Sequence, residues 1–384
     1  MFRFLTAGES HGPGLVAVVE GLPAGLAFDR EALGAELARR KLGFGRGPRM
    51  ALERDELEVL GGIRHGRTLG SPVAVLIRNT EYVEKWSVEM SPDPGVPKRP
   101  MTTPRPGHAD LAGMQKYDTH DARNILERAS ARETAARTVV GYLAKSLLAE
   151  VGVAVLSHVI EIGGEAVSGE RVPRPEDLPA IDASPVRVFD REAERRIMEL
   201  IERTRKGRDT LGGVVEVVVH GLVPGLGSHV HWDRRIDARL AEALMSIQAI
   251  KGVEVGDGFE SARRRGSAAH DEIYLDDASI GRRTNRAGGV EGGMTVGGLL
   301  RVRAAMKPIS TVGKGLATVD VESKQAEPAF YERSDVCAVP AAGVVAEQMV
   351  AVVLAQEVQR MFGGDTVADL RGAWSAYRRR LEAF

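Results

Sequence analysis

The chain has 384 residues, with 52 Lys and Arg against 53 Asp and Glu, and this near-neutral balance argues against a general polyanion binder. Its single cysteine, Cys337, excludes an internal disulfide framework and any cysteine-rich metal site. The length suits two or three domains, or one large duplicated one, and 44 glycines, many in pairs, point to tight turns and backbone that a ligand can approach closely.

Taken in order, the opening Met1-Phe2-Arg3-Phe4-Leu5 lacks the apolar core of a signal peptide, so a soluble, cytoplasmic protein is expected. Gly8-Glu9-Ser10-His11-Gly12-Pro13-Gly14 sets a histidine among glycines and a hydroxyl, where it is either a proton donor or an inert loop residue. Residues 15–20 read as a strand, Gly21-Leu22-Pro23-Ala24-Gly25-Leu26 as its turn, and 30–41 as a helix with Leu33 and Leu37 inward. Gly43-Phe44-Gly45-Arg46-Gly47-Pro48-Arg49, preceded by Arg39 and Arg40, offers four guanidiniums suited to phosphate and carboxylates, although RNA would use the same groups. No Gly-Lys-Ser/Thr ends this loop and no Gly-x-Gly-x-x-Gly follows a first strand, which argues against an ATPase or a Rossmann dehydrogenase.

A Pro-rich loop spans 81–106 and leads to Arg105-Pro106-Gly107-His108-Ala109-Asp110, which holds a second candidate proton donor. The spacing of Ala131, Ala135, Val139, Leu143 and Leu147 predicts one helix over 127–150. Arg128 and Arg132 sit one turn apart near its start, with Arg123 upstream; they suit a phosphate or planar anion, or are solvated charges, while Arg137 has Glu133 as an ion-pair partner. Residues 161–185 read as connector, and 190–206 as a charged helix anchored by Ile197, Leu200 and Ile201. A strand at 215–220 precedes a helix carrying Ile236, Leu240, Leu244 and Ile247, and 251–286 reads as a long Gly- and charge-rich loop. Lys307-Pro308-Ile309-Ser310-Thr311 is a phosphate cradle or a solvated turn. The apolar stretch 344–361 is interrupted by Glu347, Gln348, Gln356 and Glu357, and so predicts a buried helix and not a membrane span. Residues 368–384 read as a basic, solvated terminal helix, and His229-x-His231 lacks a third ligand, so no metal site is expected.

Three pairs of segments recur in the same order. Gly21-Leu22 to Gly25-Leu26 matches Gly221-Leu222 to Gly225-Leu226; Gly61-Gly62 to Gly70 matches Gly288-Gly289 to Gly297; and Arg128 with Ala136, Val139 and Val140 matches Arg333 with Ala341, Val344 and Val345. The pattern predicts an internal duplication within one domain over 1–384, with repeats of about 1–150 and 207–365 joined by a connector at 151–206.

Three separated motifs span nearly the whole chain: Gly8-Glu9-Ser10-His11-Gly12 to Pro23, Glu127-Arg128-Ala129-Ser130-Ala131-Arg132-Glu133-Thr134 to Gly141, and Arg333-Ser334-Asp335-Val336-Cys337 to Glu347. In these the sequence resembles the chorismate synthase family. The resemblance implies an α+β fold, a three-layer β-α-β sandwich with helices between antiparallel sheets, and a homotetramer. It implies a lyase that converts 5-enolpyruvylshikimate 3-phosphate to chorismate and phosphate by anti-1,4-elimination with reduced FMN. By similarity, His11 protonates the departing phosphate, His108 holds or protonates the reduced flavin, and Asp335 assists proton transfer at its N5. FMN positions carried over are Arg128, Ala129, Ser130, Gln248, Ala249, Gly292, Lys307, Pro308, Ile309, Ser310, Thr311 and Arg333. Substrate positions are Ser10, Arg40, Arg46, Arg49 and Arg132, of which Arg40 and Arg46 also match positions assigned to NADPH. The compact chain is similar to the monofunctional type, which relies on an external flavin reductase. Alternatives are a conventional flavin oxidoreductase, which would show net hydride transfer, and an RNA-binding protein using the arginine loops and Arg263-Arg264-Arg265. Five per cent aromatic residues leaves the latter few stacking platforms.

Overall fold

Eight principal strands form two antiparallel sheets with the same internal order. In the computed structural model, which describes residues 2–46, 55–168, 171–276, 279–330 and 335–384, the first sheet comprises β1 (Arg3–Ala7), β2 (Gly14–Glu20), β3 (Asp55–Gly61) and β4 (Val73–Asn79), ordered β1-β2-β4-β3. The second comprises β5 (Ala154–Ile162), β6 (Gly213–His220), β7 (Ile250–Val255) and β8 (Leu300–Met306), ordered β5-β6-β8-β7, with the short strand Glu165–Ala166 beside β5. Alternation sets the inward face of the first sheet: Leu15, Ala17 and Val19 of β2 and Val73, Val75 and Ile77 of β4 are all buried.

The principal helices are α1 (Arg30–Arg39), α2 (Asp110–Lys116), α3 (Arg123–Ala129), α4 (Thr134–Ala149), α5 (Arg191–Lys206), α6 (Ile236–Met245), α7 (Val339–Phe362) and α8 (Val367–Glu382). α4 packs on β2 and on α7, and α7 packs on β5 and β6, so the helices fill the space between the sheets. This is the expected α+β sandwich. By length and composition α7 could cross a membrane, but 94% of its most apolar window is buried inside the fold, where it is the central core helix. Its two glutamates are met by cations: Glu347 by Arg39 and Lys145, and Glu357 by Arg239 and Arg360.

The crossing of α4 and α7 is close because Gly141 lies on Gln348, and a Cβ there would run into the glutamine's side chain and its Cα. Gly141→Ala is expected to destabilise the fold by about 1–3 kcal/mol, as overpacking does, despite the better helix propensity of alanine. Urea denaturation checks this, and unchanged stability would mean the two helices can separate without cost.

Several expected elements differ. The single helix over 127–150 is interrupted: α3 ends at Ala129, Ser130 is extended (φ −63°, ψ 142°), and one tight turn at Ala131–Glu133 leads into α4. Ser130 acts as an N-cap, its Oγ accepting from the Arg132 amide at 3.2 Å. The expected connector 151–206 contains β5, paired with β6 along its length except for a register shift between Val159 and Glu161. The expected loop 251–286 contains most of β7 and the hairpin Ile273–Asp276/Ser279–Arg282. The last helix, α8, is not merely solvated, since Leu370 and Trp374 are buried and the Trp374 ring packs edge-on to Phe362 at 4.9 Å. Residues paired in the sequence repeat share backbone angles. Gly62 and Gly289 both have φ of +82°, Gly21 and Gly221 have +86° and +83°, and Gly70 and Gly297 have +80° and +82°. At Gly62 and Gly289 alike, a Cβ would strike the carbonyl of the strand opposite.

Candidate active site

His11 sits in the turn from β1 to β2. That turn is fastened from two sides: the Ser10 amide donates to the Glu127 carbonyl at 3.0 Å, and Asn79 at the end of β4 donates to the Gly12 carbonyl at 2.7 Å. The His11 ring is 5% exposed, and its Nδ1 lies 2.9 Å from each carboxylate oxygen of Glu127 on α3. Glu127 also accepts the His11 amide at 2.9 Å and Arg123 at 2.9 Å. Burial pushes the Glu127 carboxyl up, but the hydrogen bonds and charge of His11, with the charge of Arg123, outweigh it and hold the group below its ordinary value. Trp86, from the turn Tyr82–Trp86 in the Pro-rich loop, lies over the imidazole with ring centroids 3.9 Å apart, and Arg123 stands 5.2 Å from the indole. The other imidazole nitrogen, Nε2, is buried with no hydrogen-bond partner among the described residues. A buried polar atom without a partner is costly in a finished fold, and it fits an acid that meets its partner in the substrate.

The break at Ser130 divides the cations of this segment. Before it, Arg128 is half-exposed and donates to the Thr6 and Gly8 carbonyls at 2.9 and 3.1 Å. Beyond it, Arg132 is buried and pairs with Asp55 at 2.6 Å and with Asn79 at 3.1 Å. Lys41 reaches the same Asp55 at 2.8 Å. Arg40, only 4% exposed, lies 3.5 Å from the Thr134 hydroxyl. Ser130 and Ser10 hydroxyls are 3.3 Å apart, so Ser10, His11, Ser130 and Arg132 share one locality.

His108 belongs to a second cluster. It bonds to Asp110 through Nδ1, and Arg105 donates to Asp110 at 2.8 Å and approaches the His108 ring at 3.1 Å. Burial raises the Asp110 carboxyl, but bonds from His108 and Arg105 hold it well below the carboxylate range. The 307–311 segment packs on this loop: Lys307 donates to the Gly107 carbonyl, and Thr311 lies 3.5 Å from Arg105. Thr210 donates to the Ile309 carbonyl at 2.8 Å while the next residue, Leu211, donates from its amide to the Val336 carbonyl at 2.8 Å. Thr210 and Leu211, just ahead of β6, therefore link the 307–311 segment to Val336, the neighbour of Asp335, whose carboxylate is paired with Arg46 at 2.8 Å.

The remaining flavin positions are spread. Gln248 donates to Glu133 at 3.3 Å, the carboxylate that Arg128 approaches at 3.9 Å, so these two predicted residues converge. The Gln248 Oε1 is buried without a partner among the described residues. Ala249 has φ of +67°, a left-handed conformation that strains a non-glycine residue by about 1 kcal/mol and recurs at functional sites. Pro308 and Ser310 lie within the 307–311 segment, and Ala129 ends α3. Gly292 stands in the turn between Val290–Glu291 and Met294–Val296, and no hydrogen bond joins it to the others among the described residues. Arg49 and Arg333 lie outside the described residues. The set of polar groups fits a phosphorylated flavin: Arg128 and Lys307 are cations at or near the surface for a phosphate, and the Gln248 Oε1, without a partner among the described residues, suits a ring edge. Glu127, Trp86, Asp110 and Asp55 join these clusters although the sequence alone assigns them no role. The only local signals were the short His108-x-Asp110 spacing and the i, i+4 relation of Arg123 to Glu127.

Comparison with known proteins agrees over the full length. The chorismate synthase family model matches residues 2–359. The chorismate synthases of Thermobifida fusca and Acidothermus cellulolyticus are each 60% identical, covering 96% and 98% of this chain and the same shares of those proteins. That of Leifsonia xyli is 58% identical over 99% of this chain and 98% of its own. A solved structure, described as a crystal structure of chorismate synthase, superposes with a TM-score of 0.81 at 40% identity, covering 100% of this chain and 99% of the other.

Proposed function

The chain belongs to the chorismate synthase family, and from that premise we propose that His11, His108 and Asp335 manage the protons of its reaction. The reaction itself is the family's: elimination of phosphate from 5-enolpyruvylshikimate 3-phosphate to give chorismate, in the shikimate pathway, with reduced FMN as the family cofactor. When bound, reduced FMN supplies electron density to the substrate and accepts the hydrogen that leaves carbon.

The observation that carries the proton assignment is the buried Nε2 of His11, an imidazole nitrogen with no partner among the described residues, in a loop that Glu127 and Asn79 hold in place. There it gives a proton to the departing phosphate oxygen. Arg132, Arg40 and Ser10 close by hold the substrate's anionic groups, and Arg46 and Arg49 complete the clamp. His108, held by Asp110 and Arg105, would hold the flavin together with Lys307 to Thr311, and Arg128, Ala129, Ser130, Gln248, Ala249, Gly292 and Arg333 would contribute to the same cofactor. Asp335 is paired with Arg46, so the carboxylate read as assisting proton transfer is in direct contact with the substrate clamp.

Replacing His108 with alanine is expected to slow turnover by about a hundredfold or more, the scale of a lost proton donor, while FMN binding is largely kept. Single-turnover measurements with photoreduced FMN, beside a flavin titration, check both; a wild-type rate would remove His108 from the mechanism.

We also read Arg40 and Arg46 as substrate ligands and not as a nicotinamide site. Arg40 lies against α4 near Thr134 and Arg46 is engaged with Asp335; on this reading an external reductase reduces the flavin. The matching strand orders and turn angles support duplication of an ancestral half, with β5 opening the second copy. The protein is proposed to act as a cytoplasmic homotetramer, for which light scattering is the direct measurement.

A further inference from the structure

We infer that Glu127 is a positioning residue for His11, holding Nδ1 as the donor nitrogen in both protonation states so that Nε2 alone exchanges the catalytic proton. The inference rests on the reading of His11 as the acid that serves the leaving phosphate.

Both Glu127 oxygens lie 2.9 Å from Nδ1, and one of them also takes the His11 amide, so a single carboxylate fixes the ring and the backbone that carries it. Glu127 is 3% exposed, and an ionised carboxylate has no proton to offer Nδ1. The hydrogen on Nδ1 therefore stays in place when Nε2 releases its own. Before the step His11 is an imidazolium paired with Glu127. As the carbon–oxygen bond to phosphate breaks, the Nε2 proton passes to the phosphate oxygen and the ring is left neutral, still donating from Nδ1. Water later returns a proton to Nε2, and Glu127 remains ionised throughout. Arg123 balances the charge of Glu127 at 2.9 Å, and Trp86 covers one face of the imidazole.

The charged groups around His11 can be named from each neighbouring element. α3 contributes Glu127 and Arg123, and the loop of His11 itself contributes the exposed Glu9. On the turn that carries Trp86, Glu84 and Lys85 are both exposed. Glu127 is the one acid in hydrogen-bond contact with the ring among the described residues. A carboxylate in contact with an imidazole favours its protonated form.

The test compares wild type, His11→Ala, Glu127→Gln and Glu127→Asp with photoreduced FMN and 5-enolpyruvylshikimate 3-phosphate, anaerobically, across pH. A reaction that needs protonated His11 fails as pH rises, giving an alkaline limb. In Glu127→Gln the rate at the optimum is expected to fall about tenfold to a hundredfold, and the alkaline limb to move toward lower pH. Glu127→Asp should recover part of both. A second readout needs neither flavin nor substrate. Trp86 stacks on His11 and an imidazolium quenches indole emission, so the difference in fluorescence between wild type and Trp86→Phe follows the titration of His11. Its midpoint should move the same way in the Glu127→Gln background. A limb and a fluorescence midpoint that both stay put would show that Glu127 serves only to hold the fold, whatever happens to the rate; a wild-type rate in Glu127→Gln would equally overturn the proposal. His11→Ala separates this inference from its premise: if that variant is slow and Glu127→Gln is normal, the positioning role alone fails, and if His11→Ala is itself normal, the acid assignment fails first.

Discussion

His11→Ala is expected to lower the rate of chorismate formation by about a hundredfold or more, the usual contribution of a general acid. The substitution removes an imidazole whose Nε2 is buried without a hydrogen-bond partner among the described residues. It leaves untouched Arg128, Gln248 and the 307–311 segment, which are bound to Thr6, Glu133 and Gly107 and not to His11. FMN affinity should therefore hold while turnover falls. Alanine also strips one hydrogen-bond donor from Glu127, which keeps Arg123. Rates should be compared at a temperature where circular dichroism shows both proteins fully folded. A variant with normal flavin binding and a wild-type rate would contradict the acid role of His11.

The second large effect is on stability. Glu347→Gln is expected to destabilise the protein by about 3–5 kcal/mol, the cost of breaking a buried charge network by removing one partner. Glu347 is fully buried in α7, where it accepts from Arg39 at 2.7 and 3.0 Å, from Lys145 at 2.6 Å and from Ser157 at 3.0 Å, with Arg187 4.0 Å away. α1, α4, α7 and β5 all meet at this carboxylate, and Glu36 and Asp182 are the other acids of the group. The glutamine would leave three cations facing two carboxylates inside the core. Burial alone would raise the Glu347 carboxyl; Lys145, Arg39 and Arg187 outweigh it and hold the group well below its ordinary value of 4.5. A carboxyl depressed in the folded state adds stability above its unfolded value and loses it as pH falls toward the folded one. The gap between wild type and Glu347→Gln should thus be constant from neutral pH down to about pH 5 and close progressively below that. Urea titrations at several pH values test both the size and the slope. A gap under about 1 kcal/mol at neutral pH would mean that the network is nearly neutral to stability, as some buried pairs are.

Much of this architecture was legible because its signals are local or repeated. Leu33 and Leu37, or Ile236, Leu240 and Leu244, mark a buried helical face at helical spacing, and all five are buried. The paired glycines forecast matching turns, since positive φ favours glycine and the same turn demands it twice. Arg137 does pair with Glu133, at 2.8 Å, as an i, i+4 relation predicts. β5 escaped notice for a physical reason: residues 155–159 are buried on both faces of the sheet, so the alternation that marks a half-buried strand is absent. The break at Ser130 was hidden because the apolar spacing continues across it, and only the cap geometry reveals where the helix stops. Long-range chemistry was harder still. Glu127 stands 116 residues from His11, and nothing in the spacing of either motif says that the two side chains meet. Asp335 and Arg46 are likewise joined only by the fold. The family resemblance supplied the positions of the acids, and the three-dimensional arrangement supplied their partners.

The most direct measurement is an anaerobic reaction of purified protein with photoreduced FMN and 5-enolpyruvylshikimate 3-phosphate, following chorismate absorbance and free phosphate together, with oxidised FMN as control. The account predicts equal release of both products, many turnovers per flavin, flavin still reduced at the end, and no product in the control or when oxidised FMN is supplied with NADPH alone. Product accompanied by stoichiometric flavin oxidation would make the protein a conventional flavin oxidoreductase, and no product with reduced flavin would contradict the lyase chemistry altogether.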